Sequence, residues 1–137
     1  MIVCDTGPLV AALNAKDANH QRCLDLLEQH PGPLLVPAPV ITEVCWLLES
    51  RSGPAAEAAF LDALHAGELT IVDLERDDLR RMADLVRRYA DLPLGAVDAS
   101  VVAVAERTRI TTVATLDHRH FRVVRPHHTD AFTLLPD

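Results

Sequence analysis

The chain predicts an α/β fold: a mainly parallel central sheet of four to five strands, sandwiched by helices. Three observations carry this. Short apolar-rich runs at residues 2–5, 34–37, 69–74 and 111–116 are too brief for helices and read as buried strands. Longer helical patterns separate them. Glycine and proline mark most of the junctions, and strand–helix alternation of this kind favours a parallel sheet with both faces covered.

The elements follow in order. After the strand at residues 2–5, Gly7-Pro8 turns the chain into a helix reaching Leu13. Asn19 stands where a cap should open a second helix, ending near Gln29. Pro31-Gly32-Pro33 breaks the chain before the strand Leu34–Pro37, and Pro39 fits the first turn of a helix reaching Ser50. Ser52-Gly53-Pro54 punctuates again. An Ala-rich helix over 55–66 is stopped by Gly67, and a strand over Leu69–Leu74 follows. Apolar groups at Leu79, Met82, Ala83, Val86 and Tyr89 predict an amphipathic helix over 76–90. Asp91–Gly95 is a loop, 97–108 an apolar helix and 111–116 a strand. A short turn at His118–Phe121 leads to a last strand near Phe132–Leu135.

Residues 1–137 are expected to form a single domain, since no repeat, low-complexity segment or linker divides them. No apolar run approaches the roughly 20 residues of a membrane span. No basic stretch precedes the first apolar residues and Asp5 interrupts them, so no signal peptide is expected. Cys4, Cys23 and Cys45 are odd in number and sit in helix- or strand-like contexts, which suits buried thiols of the cytosol rather than a disulfide set or zinc site. A net charge of −7 argues against general affinity for nucleic acid. The charge is uneven, however: residues 76–125 hold ten arginines against seven acids, and the rest of the chain is strongly acidic. RNA would be held only locally, by arginines and bound cations.

Four acids stand where an isolated charge is expensive. Asp5 ends the first apolar strand, Glu43 lies within the helix Val40–Leu48, Asp98 opens an almost wholly apolar helix, and Asp117 closes the strand 111–116. A carboxylate taken out of water needs a partner, a proton or a metal. In a parallel sheet, ligands gather beyond the carboxyl ends of the strands. Asp5 and Asp117 fall at such ends, and Glu43 and Asp98 lie early in helices, so topology lets all four face one edge. There they would repel one another, and a divalent cation is the natural remedy. Hard cations such as Mg²⁺ or Mn²⁺ need only oxygen ligands, and a metal so held activates water and neutralises charge on a phosphate. The pattern points to a metal-dependent nuclease with Asp5, Glu43, Asp98 and Asp117 as catalytic, metal-holding residues.

Each acid also has a plainer explanation. Asp5 before Thr6-Gly7-Pro8 suits a helix cap or turn. Glu43 lies at the edge of the Val40/Val44/Leu47 stripe and could be a surface residue. Asp98 could cap its helix, with Ser100 close enough to compete, and Asp117 could be a turn residue. Thr6 could cap, or hold a phosphate or liganded water. His118, Arg119 and His120 follow Asp117 closely enough to touch phosphate. Asp77, Asp78 and Asp91 read as turn or cap residues, Asp84 as outward-facing, and Trp46 as core or a subunit contact.

Ile2-Val3-Cys4-Asp5-Thr6-Gly7-Pro8-Leu9, Val40-Ile41-Thr42-Glu43-Val44, Leu94-Gly95-Ala96-Val97-Asp98-Ala99 and Thr115-Leu116-Asp117-His118-Arg119-His120-Phe121 occur in the order that resembles the PIN-domain family, most closely the VapC-type toxins of bacterial toxin–antitoxin pairs. The resemblance spans essentially the whole chain. It implies cleavage of RNA phosphodiesters by water activated on Mg²⁺ or Mn²⁺, with Asp5, Glu43, Asp98 and Asp117 as ligands. Thr6, Ser100, His118 and Arg119 would be possible auxiliaries. It further implies a homodimer and a cognate antitoxin that covers the site.

Other readings compete. Receiver domains and dehalogenase-like phosphatases also place carboxylates at strand ends, but they use a lysine near the site. Lys16 is the only lysine here, and Gly7 stands where a phosphatase would carry a second Asp. A module that binds RNA or protein without cleaving would gain nothing from four repelling acids. Cleavage of single-stranded DNA would use the same metal chemistry and differs only in substrate.

Overall fold

The computed structural model describes residues 1–137. In chain order it contains β1 (Ile2–Cys4), α1 (Thr6–Ala12), α2 (His20–Gln29), β2 (Leu34–Pro37), α3 (Ala38–Arg51), α4 (Pro54–Ala66), β3 (Thr70–Val72), α5 (Arg76–Arg88), α6 (Ala96–Thr108), β4 (Thr112–Ala114), α7 (His118–Val123) and β5 (Thr133–Leu135). The five strands form one wholly parallel sheet in the order β3-β2-β1-β4-β5. The α/β expectation holds, with five strands.

The order of the strands follows from their apolarity. β1 and β2 are buried at every position, and β1 is central, with Val3 opposite Leu35 on one side and Val113 on the other. β3, whose Thr70 and Ile71 are exposed, lies at an edge. From β1 the chain builds toward β2 and β3, then crosses back to β4 and β5. The order in which strands are added therefore reverses between β1 and β4, the position at which parallel α/β sheets open a crevice for ligands.

Helices close both faces. In α6 every residue from Ala99 to Ala105 is buried, as its nearly uninterrupted apolar sequence requires. Phe60, Phe121, Leu9, Leu48 and Leu85 are the larger fully enclosed side chains. Each contributes roughly 1.5–3 kcal/mol through removal from water. α4 ends at Gly67, whose φ of 80° lets its N–H reach back to Ala63 and Leu64 carbonyls. Cys4 and Cys23 are buried and all three cysteines are free thiols. Burial first, and the neighbouring Asp5 second, push Cys4 up to about 12.

Three details differ from the sequence expectation. α5 is rotated: Asp78, Met82 and Leu85 face inward, whereas Leu79 and Val86 are exposed. Asp78 turns the helix because it accepts hydrogen bonds from both the Glu75 N–H (2.9 Å) and Arg107 Nε (3.0 Å), an anchor that apolar periodicity does not register. Residues 118–123 form a short helix instead of a turn, because the Asp117 side chain caps it by accepting from the His120 N–H at 3.1 Å. Asn19 stands at the start of α2 as expected but makes no side-chain cap bond; its Oδ1 accepts from Arg22. Of the two readings of Trp46, core or subunit contact, its 68% exposure removes the first.

Candidate active site

Asp5, Thr6, Gly7, Glu43, Leu47, Arg51, Asp98, Leu116 and Asp117 line one open cleft of about 430 Å³ at the carboxyl edge of β1 and β4. All four acids that the sequence singles out meet there. Each arrives by a separate route.

Asp5 follows β1 directly, and its N–H donates to the Ala114 carbonyl at 2.8 Å, which carries the β1–β4 ladder one residue further. It occupies the capping position of α1 with extended backbone, yet its side chain makes no cap bond. The carboxylate instead accepts from Thr115 Oγ1 at 2.9 Å, inside the protein. Thr115 is fully buried, and its Oγ1 also accepts the Asp117 N–H at 3.0 Å. One hydroxyl therefore ties the ends of two neighbouring strands and fixes two of the four acids. The pairing of Cys4 with Ala114 sets this contact, since it places the next residues, Asp5 and Thr115, side by side.

Glu43 projects from α3, followed on the same face at four and eight residues by Leu47 and Arg51. Asp98 stands in the first turn of α6, whose N-cap is Gly95, so capping does not explain it. Asp117 both caps α7 and faces the cleft: Oδ1 accepts the His120 N–H, and Oδ2 lies 2.8 Å from His120 Nδ1. The Asp98 Oδ2 is 3.6 Å from the same imidazole nitrogen. Ligating atoms of Asp98, Asp117 and His120 all fall within 4.8 Å of one another.

The electrostatics reflect crowding. Burial first, and the Asp98 carboxylate second, raise Asp5 to about 7, with Glu43 adding to the rise. The Thr6 backbone N–H and the Thr115 hydroxyl pull the other way without restoring an ordinary value. Asp98 is raised by burial and then by Asp117 and Glu43, and lowered in part by His120. Like charges in a partly desolvated cleft make ionisation of Asp5 and Asp98 harder.

Two further groups bear on what the cleft accepts. Thr6 is 4% exposed and its Oγ1 has no hydrogen-bond partner. Gly7 lets the first turn of α1 close on Leu116, because a Cβ there would stand 3.2 Å from the Leu116 side chain. Four convergent carboxylates with an unpartnered hydroxyl form an oxygen-rich donor set. That chemistry fits a hard divalent cation.

The auxiliary expectations divide. Thr6 lines the cleft. Ser100 does not: it is fully buried and its Oγ donates to the Val97 carbonyl at 2.6 Å, within its own helix. His118 lines another hollow with Arg122, Phe132, Leu134 and Asp137, and Arg119 is exposed outside the cleft. Sequence reasoning passed over Thr115 and Arg51. Arg51 was findable from its spacing of eight residues from Glu43; Thr115 was not, because its role depends on strand pairing.

A PIN-domain family model matches residues 2–126. The chain is 31% identical over 135 residues to ribonuclease VapC26 of Mycobacterium tuberculosis, covering 98% of this chain and 100% of that protein. Among solved structures it is similar in fold to VapC20 of M. tuberculosis, a sarcin–ricin loop cleaving toxin, at a TM-score of 0.77 and 24% identity over 82% of this chain and 87% of that one. It is also similar to VapBC2 of Rickettsia felis bound to a DNA fragment from its promoter, at a TM-score of 0.69 and 17% identity over 99% and 100% of the two chains. A match over nearly the whole chain, on a sheet whose edge gathers the four acids of the motifs, means that this chain belongs to the PIN-domain family, in its VapC-type branch.

Proposed function

We propose that the chain is an Mg²⁺- or Mn²⁺-dependent endoribonuclease acting as the toxin of a toxin–antitoxin pair. The observation that carries this reading is the convergence of Asp5, Glu43, Asp98 and Asp117 in one cleft with only Arg51 as a cationic lining residue. Such a grouping is costly unless something positive completes it. The ribonuclease named among the relatives and the toxin–antitoxin complexes among the structural neighbours support the same reading.

In this account Asp5, Glu43, Asp98 and Asp117 hold the cation. When bound, it supplies charge neutralisation at a phosphate and a lowered pKa for water. The chain's own residues do the rest. Thr115 fixes the rotamer of Asp5 and the backbone of Asp117, so two ligands are preorganised before substrate arrives. Thr6 offers a hydroxyl with no competing partner to a substrate oxygen or an ordered water. Arg51, exposed at the rim, offers a guanidinium to a phosphate of the RNA backbone. Asp5, held near 7 by burial and its acidic neighbours, would have to be ionised to hold a cation, so cation affinity is expected to rise with pH through neutrality.

The remaining assignments belong to the same proposal. Residues 1–137 act as one domain, supported by a single sheet with one principal apolar core. No helix is long and apolar enough to cross a membrane, and the free thiols suit the cytoplasm. The exposed Trp46, Leu61, Ile71, Leu79 and Val86 give apolar area for a second copy or an antitoxin.

The test is cleavage of end-labelled structured and single-stranded RNA by the antitoxin-free protein, with Mg²⁺ or Mn²⁺, beside Asp98→Asn and an EDTA control. Cuts at a few positions, absent in the variant and with EDTA, are the expected result. Cleavage that persists in EDTA, or in a clean Asp98→Asn preparation, would overturn the role given to the acids. Metal binding with cleavage of DNA alone would reassign the substrate.

A further inference from the structure

His120 touches the acidic site without belonging to the four-acid set. Its side chain is 19% exposed and its Nδ1 is buried, 2.8 Å from Asp117 Oδ2 and 3.6 Å from Asp98 Oδ2. Close as it is to both carboxylates, Nδ1 makes no hydrogen bond of good geometry to either. A hydrogen-bonded histidine would point at its acceptor.

Asp117 adds a constraint. Its Oδ1 is spent on the His120 N–H as the cap of α7, which leaves Oδ2 as the oxygen turned toward the imidazole and Asp98. Three donor atoms from two helices and a cap then lie within 4.8 Å of one another, close enough to share one ion. Neighbouring ligands of a first-row divalent ion at metal–ligand distances of about 2.1 Å stand roughly 3 Å apart. The separations at His120 bracket that value. Thr6, with its own buried and unpartnered hydroxyl, is a second independent sign that the cleft is built around a ligand.

We infer that His120 Nδ1 is a direct nitrogen ligand of a cation shared with Asp98 and Asp117, making this a mixed nitrogen–oxygen site that favours Mn²⁺ and later transition ions over Mg²⁺. The inference rests on the cation-binding reading above and deepens it. An imidazole suits borderline transition ions, whereas Mg²⁺ prefers oxygen and its own waters. The cap hydrogen bond gives the site its shape: it locks Asp117 and the backbone of His120 together, so ring and carboxylate present one edge.

The experiment uses the full chain without nucleic acid. Mn²⁺ is titrated and its pulsed EPR spectrum recorded for wild type, His120→Ala and Asp98→Asn, with Mg²⁺ affinity measured in parallel by calorimetry. The expected result is a ¹⁴N coupling in wild type that disappears in His120→Ala. Mn²⁺ affinity falls by about tenfold or more in that variant, while Mg²⁺ affinity changes by less than about threefold. Mn²⁺ that binds wild type with no ¹⁴N coupling overturns the inference and leaves the four-acid reading standing. Equal loss of Mg²⁺ and Mn²⁺ in His120→Ala, again without a coupling, makes His120 a support for Asp117 and also overturns it. If wild type binds neither ion, the cation reading itself fails, and the inference fails with it. The wild-type spectrum decides the matter even if the variant does not fold.

Discussion

Two clefts of this molecule hold four carboxylates each and treat them in opposite ways. Between α5 and α6, Glu75, Asp77, Asp78 and Glu106 share a hollow with Arg81, Arg107 and Arg109. Arg81 grips both oxygens of Glu106, at 2.8 and 2.9 Å, and Arg107 binds Asp78 and reaches Glu75 at 3.3 Å. Burial alone would raise Glu106, but hydrogen bonds from Arg81 and the His127 N–H hold it below the usual carboxylate range. At the sheet edge the acids face one another, and Asp5 and Asp98 rise instead. The fold can neutralise buried acids and does so at Glu106, only a turn or two along the same helix from Asp98, and at Asp78 on the helix before it. Leaving one group unneutralised is therefore a property of that site, and under the proposed function the difference separates acids that hold the structure together from acids placed for a cation.

The comparison breaks most visibly in activity. Asp98→Asn removes one cleft carboxylate, and cleavage of a labelled RNA should fall by roughly 10²–10³-fold, the usual size of losing one group that stabilises transition-state charge. Arg81→Met, in the other cleft, should leave RNA cleavage nearly unchanged. It strands Glu106, whose side chain is 10% exposed, and denaturant unfolding should report a loss of about 2–4 kcal/mol. A stable Arg81→Met protein would mean that the paired cleft is not structural.

Removing a charge from the unpaired cleft should do the reverse. Asp5 has a folded value near 7 against an ordinary 3.8, so the folded state binds a proton more tightly than the unfolded chain. Its contribution to stability is present below about 4, is lost as pH rises between those values, and is gone above about 7. Asp5→Asn, which is neutral throughout, should therefore stabilise the cation-free protein by about 1–3 kcal/mol at pH 8 and progressively less toward pH 5. Equal effects at both pH values would show that the gain has nothing to do with ionisation.

How much of this was legible in the sequence depended on whether the cause was local. Asp5 and Asp117 could be placed because each ends a short apolar run, and β1 and β4 had to be parallel for the helices between them to fit. Glu43 and Asp98 could be placed because an acid in an apolar helix is conspicuous. The rotation of α5 was not legible, since Asp78 is anchored by Arg107, 29 residues on. Thr115 was missed for the same reason: its hydroxyl matters only because β1 and β4 pair, joining it to a residue 110 positions away. Ser100 illustrates the opposite case, since the family resemblance implied a helper that the helix turns into the core.

The central claim is that the four acids are held in mutual repulsion for a cation to relieve. Thermal or denaturant unfolding of wild type and Asp98→Asn, each in EDTA and in Mg²⁺ at constant pH and ionic strength, tests it most directly. Asp98→Asn should be the more stable of the two in EDTA. Wild type should gain about 1.4 kcal/mol at Mg²⁺ ten times its dissociation constant, with the variant gaining much less. A variant that is less stable than wild type in EDTA, together with no Mg²⁺ effect on either, would make the acids ordinary structural residues and contradict the account.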